Sequence, residues 1–79
     1  MSQKRFETKA PDQLGWDVTF AGNAARAAVD AAYNYCEEIG NWDRAVNVIV
    51  RRHGIYSVKI YQVIQYSATL IEVITKEDE

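Results

Sequence analysis

The sequence predicts an α+β domain in which one helix covers one face of a three- to four-stranded, mainly antiparallel sheet, in the order β-α-β-β-β. Three observations carry this. One stretch, Ala24–Ile39, has apolar residues at helical spacing. The segments around it alternate apolar and polar residues, as half-buried strands do. The helix is bracketed by Asn23, a residue that caps free amides, and by Gly40, which suits a left-handed stop.

Met1–Leu14 has little periodicity, with only Phe6 and Leu14 large and apolar. Residues 1–15 are therefore expected to be an N-terminal arm, or an edge strand through Arg5–Thr8, ended by a turn at Pro11-Asp12-Gln13. Residues 16–76 form the single expected domain, and residues 77–79 a charged tail. Trp16-Asp17-Val18-Thr19-Phe20 reads as a strand with Trp16, Val18 and Phe20 on one face, Trp16 in core-facing register. On the helix, Ala25, Ala28, Val29, Ala32, Cys36 and Ile39 form the inward stripe. Arg26, Asp30, Asn34, Glu37 and Glu38 form the solvated side. In Ala45–Arg52, Val46, Val48 and Val50 lie opposite Asn47, Ile49 and Arg51. His53-Gly54 signals a hairpin to Tyr56–Tyr66.

In that strand the alternation sets Tyr56, Val58 and Ile60 inward and Ser57, Lys59 and Tyr61 outward, with a slip around Gln62. A reversal at Ser67-Ala68 leads to Leu70–Thr75, with Ile71 and Val73 directed to the core. A single helix leaves one sheet face bare. The expected contact surface on that face is Ile49, Arg51, Lys59, Tyr61, Leu70 and Glu72, with Asn47, Ser57 and Ile74 beside them. Uncovered apolar surface of this kind marks protein contacts or self-association. Asp30, Glu37 and Glu38 form a secondary acidic surface.

Composition narrows the function. The 79 residues include 9 Lys+Arg, 11 Asp+Glu, one His and one Cys, with 48% hydrophobic. The net charge of −2 argues against a general nucleic-acid binder, despite Arg51, Arg52 and His53 at one turn. No apolar run approaches the ~18 residues of a membrane span, and Met1–Ala10 lacks the ~7–15-residue apolar core of a secretory signal. One Cys builds neither an intramolecular disulfide nor a Cys-based zinc site, so a cytoplasmic setting is expected. Cys36 sits on the helix stripe beside Glu37 and Glu38, a setting for a structural thiol and not a reactive one. Asp12, Asp17, Asp43 and Glu72 fall in no acid–base spacing. No cofactor motif is present, and the expectation is not an enzyme but a protein-binding module. A closed pocket of ~300–1,000 Å³ is hard to hollow from so small a core.

Two resemblances bear on the partner. Trp42, Gly54 and Tyr61-Gln62-Val63 resemble the dodecins, small flavin-storage proteins, over Trp16 to about Val63. That resemblance implies a homo-oligomer stacking flavin against Trp42, although the helix is shorter and an arm precedes the first strand. In size, acidity and layout the chain is also similar to phage-encoded inhibitors of the anti-CRISPR type. This similarity implies a non-enzymatic inhibitor that covers a surface of a host defence complex, with another protein or complex as partner. A homodimer through the open sheet face is a further expectation, and a small nucleic-acid-binding domain the remaining alternative.

Overall fold

The computed structural model describes residues 3–52 and 57–75. They form strands β1 (Lys4–Lys9) and β2 (Asp17–Ala21), helix α1 (Ala24–Ile39), then β3 (Val46–Arg52), β4 (Ser57–Ile64) and β5 (Ser67–Thr75). The α+β class is as the sequence predicts: one helix on one antiparallel sheet. The sheet has five strands in the order β2-β1-β3-β4-β5. The expected hairpin signal at His53-Gly54, the inward Tyr56 and the charged tail lie outside the described residues.

The largest correction concerns the N-terminal segment. It is neither arm nor edge: β1 is an interior strand, pairing antiparallel with β2 on one side and β3 on the other. The chain therefore leaves β2 at the sheet's edge, crosses through α1 and re-enters at β3, with β1 lying between the two. An interior strand covered on only one side needs few apolar residues. Phe6 and Thr8 face the helix and are buried, while Arg5, Glu7 and Lys9 face away. The Thr8 hydroxyl is satisfied at 3.1 Å by that of Thr19, so its burial leaves no orphaned polar group.

The turn after β1 forms where Pro11-Asp12 predicts it. Asp12 takes φ 65°, and the Gln13 side-chain oxygen accepts from Ala10 N at 2.7 Å. The helix boundaries also follow the sequence. Asn23 Oδ1 accepts from Arg26 N at 2.8 Å, capping one of the free amides. Gly40 adopts φ 73° and its N–H returns to Cys36 O at 2.8 Å, closing the helix in a left-handed turn.

The inward stripe of α1 is Ala27, Ala28, Val29, Ala32 and Cys36. Ala27 is a buried member that the spacing missed, and Ile39, expected inward, is exposed. With mostly alanine on its underside, α1 lies close to the sheet and touches every strand, β3 most. The bulk of the core comes from the strands: Phe6, Val46, Val48, Val50, Tyr61 and Val63. Fully burying a valine contributes ~1.5–3 kcal/mol, so this one face holds most of the fold's apolar stabilisation.

Cross-strand partners project to the same side of a sheet, and this rule overturns the expected placements of Tyr61, Lys59, Val58, Ile60 and Leu70. Val48 pairs with Tyr61 and Val46 with Val63, so Tyr61 points under the helix, 7% exposed. Lys59, paired with Val50, shares that side. Val58 and Ile60 consequently face outward, the reverse of the expected β4 register. In β5, Leu70 pairs with Tyr61 and so faces the helix side, whereas Glu72 pairs with Ile60 on the bare side. The irregularity lies on β5 against the Ile60/Tyr61 step, and β4 alternates without a slip at Gln62. The β4–β5 reversal falls at Gln65-Tyr66, with Gln65 at φ 56°, two residues before the predicted Ser67-Ala68.

On β2 the expected core face is likewise inverted. Glu7 pairs with Val18 and Arg5 with Phe20, so Val18 and Phe20 stand on the bare side, 47% and 58% exposed. The inward positions hold Thr19 and Ala21 instead. Ala21 is buried one residue before the chain turns into the helix, where a small side chain is what the close approach allows.

Candidate interaction surface

The side of the sheet away from α1 is organised in rows that run across the strands. One row is Val18-Glu7-Arg51-Val58-Ile74, each residue the cross-strand partner of the next. The next row is Lys9-Ile49-Ile60-Glu72, extended beyond Lys9 by Trp16. Phe20 and Arg5 stand above the first row, and the polar triplet Asn47-Gln62-Thr69 bounds the second. The two rows thus form an apolar field with charges on β1, on the adjoining Arg51 and, at the β5 end, on Glu72.

Of these charges, Glu7, Lys9 and Arg51 are organised around an aromatic ring. Arg51 Nε donates to Glu7 Oε1 at 2.6 Å, with the two side chains 38% and 17% exposed. The same guanidinium lies 3.9 Å from the Trp16 ring centroid, and Lys9 Nζ lies 5.5 Å from it. Attraction between a cation and an aromatic face is worth ~0.5–2 kcal/mol, depending on desolvation. Together these contacts hold Arg51 flat against the sheet, so that its stem and guanidinium form part of the surface. Lys9 makes no ion pair with a described carboxylate.

Of the residues the sequence nominated, Ile49, Arg51 and Glu72 lie on this face, with Asn47 and Ile74. Lys59, Tyr61 and Leu70 lie on the helix side and are not brought together with them, and Ser57 shares their side. Trp16, Val18, Phe20, Val58 and Ile60 are the members that sequence reasoning missed. The signal that could have found them is the first strand itself: Arg5, Glu7 and Lys9 alternate with buried Phe6 and Thr8, and a charged outward face admits Val18 and Phe20 as its neighbours.

The remaining candidates disperse. Asp30 pairs with Arg26 at 3.5 Å on the helix exterior, and Glu37 is exposed beside it along the helix. Glu38 lines an open cleft of about 750 Å³ between the helix and the β1–β2 connection, together with Asp12, Asp17 and Tyr35. Gln13 donates to Asp17 across this cleft. A smaller cleft of about 270 Å³ near the helix start is lined by Lys4, Arg52 and Lys59. Trp42, the residue that the dodecin resemblance assigns to flavin stacking, meets Tyr33 edge to face at 4.8 Å, and Tyr33 stacks on Tyr66 at 6.3 Å. Cys36 is buried. Among the described residues no group of three His, Cys, Asp or Glu could hold a metal ion, and no helix is long and apolar enough to cross a membrane.

Among the described residues, the fold and the surface define a single-helix α+β domain with one sheet face left uncovered. Comparison with protein-family models, with curated proteins and with solved structures finds no match. Function has to be read from the chain's own surfaces.

Proposed function

We propose that this chain is a non-enzymatic protein-binding module whose contact surface is the uncovered sheet face. The observation that supports it most is the pair of transverse rows, in which Val18 on β2, Ile49 on β3, Val58 and Ile60 on β4 and Ile74 on β5, with Trp16 just before β2, flank the charged residues Glu7 and Lys9 on β1. Apolar side chains held in register on a rigid sheet bring little ordering cost to an interface. The Arg51–Glu7 pair and the stacked Trp16 supply the anchors that such interfaces favour, an aromatic ring and an arginine.

An anti-CRISPR-type inhibitor would be one form of this module, its face laid over a host complex. A flavin-binding oligomer would be another and would announce itself as a yellow protein. The test of the module is photocrosslinking in the cells that make it, with a photoreactive residue at Val18 or at Asn34 on the helix exterior. A discrete protein adduct from position 18, and none from position 34, is the expected result. Adducts from position 34 alone would reject the sheet face as the contact surface.

A further inference from the structure

Resting on that reading, we infer that the partner of the uncovered face is a second copy of this chain, packed sheet to sheet about a two-fold axis running across the strands. The register supplies the argument. Glu7 and Lys9 lie on the same strand and the same face, one in each transverse row. Thr8 and Val50 mark the level between the rows. A copy turned over about an axis at that level lays the first row of one molecule on the second row of the other. Val58 then faces Ile60 of the partner subunit, and Val18 faces Trp16 of the partner subunit. Glu7 faces Lys9 of the partner subunit, and symmetry makes that ion pair twice. Among the described residues Lys9 has no other carboxylate, and the second copy supplies one.

The dimensions agree. Five strands spaced ~4.8 Å apart and about seven residues long present a footprint of roughly 24 by 23 Å. Once the side-chain relief is included, this is of the order of the ~800 Å² that each partner gives to a standard interface. Two such sheets pack ~10 Å apart with strand directions within about 30°. An opposed glutamate and lysine reach each other across that gap, and the small rotation keeps the rows in register near the axis. Isologous packing of this type closes on itself, so the two paired faces leave no second contact of the same kind to propagate. Both helices, with Asp30, Glu37 and Glu38, then face outward.

Sedimentation equilibrium on the full chain tests this, with circular dichroism confirming that each variant is folded. The wild type is expected to be a dimer. Lys9→Glu sets two carboxylates against each other at both symmetric sites, and Glu7→Lys sets two ammonium groups against each other. Each variant alone is expected to dissociate at least about tenfold more readily. An equimolar mixture of the two variants brings opposite charges together again and is expected to dimerise, as a heterodimer. Val18→Asp, on an edge strand where the side chain is already half exposed, keeps the test valid if Glu7→Lys perturbs the fold; it is expected to give a monomer.

A wild-type monomer at high concentration would overturn the second-copy proposal. So would variants that all dimerise like the wild type, or a Glu7→Lys and Lys9→Glu mixture that stays monomeric while both are folded. In any of these cases, an adduct from position 18 with a mass other than twice that of the chain would leave the binding module standing with a foreign partner. A monomer giving no adduct from position 18 would reject both.

Discussion

The two faces of this sheet are built from the same strands and do opposite work. The helix face carries Phe6, Val46, Val48, Val50 and Val63, all buried, under a helix of small residues. The opposite face carries Val18, Phe20 and Ile74, all exposed, around a salt bridge and a stacked tryptophan. Both are rich in apolar side chains, yet among the described residues only one has a cover. Hydrophobic content is thus a poor guide to where the core lies. The face with the helix is mostly valines and alanines around Phe6 and Tyr61, while Trp16 and Phe20 stand on the other side.

Substitutions on the two faces should therefore separate stability from association. The greatest loss is expected at Tyr61, whose ring the simple β4 alternation would place outward. Buried beside Val48, Tyr61→Ala should cost about 3 kcal/mol of folding free energy by chemical denaturation. A cost under about 1 kcal/mol would return Tyr61 to the bare face. Val48→Ala, at the centre of the core, should cost about 2 kcal/mol in the same assay.

On the other side, Arg51→Ala removes an ion pair and a cation–aromatic contact that are partly exposed. The expected loss in the isolated chain is about 1 kcal/mol. A fall in the salt dependence of stability relative to wild type should accompany it. The least change in stability is expected for Val18→Asp. Measured at concentrations where the chain is monomeric, it should shift stability by less than about 0.5 kcal/mol. A loss comparable to that of Val48→Ala would mean that Val18 belongs to the same core as the helix face.

Which parts of this were legible in the sequence follows from what each signal reports. Asn23 and Gly40 act through their own backbone neighbours, so the helix ends could be read locally and fall where they were expected. The valines at 46, 48 and 50 were legible because Asn47, Ile49 and Arg51 between them mark a difference between faces. Strand β4 gives no such mark: Val58 and Ile60 on one side and Tyr61 and Val63 on the other are both apolar, and only pairing with β3 chooses between them. A one-residue shift of register exchanges every side chain between faces, and that one choice moved Lys59 and Tyr61 together. Leu70 followed through its pairing with Tyr61. The interior position of β1 was hidden for a related reason. Its placement depends on β3, more than forty residues away in the chain, and its outward charges made it look like a solvated arm.

The candidate surface inherits these limits of local reading. Ile49, Arg51 and Glu72 were found because β3 and the end of β5 alternate in the expected phase. The alternation of Trp16, Val18 and Phe20 sets them on one face, with Trp16 in core-facing register, and nothing local tells that this face is the bare one. Their partners Glu7 and Arg5 required the strand order to be known. Arg51 is the clearest case: its charge marked it for the surface, but its contacts with Glu7 and Trp16 come from segments whose adjacency the sequence does not state.

Whether the uncovered face is the one buried in association can be read by hydroxyl-radical footprinting with mass spectrometry across a range of protein concentration. As the complex forms, Trp16 and Phe20 should lose reactivity, while Tyr33 and Trp42 near the helix end keep theirs. Protection of Tyr33 and Trp42 with Trp16 and Phe20 unchanged would place the contact on the helix side and refute the sheet-face interface.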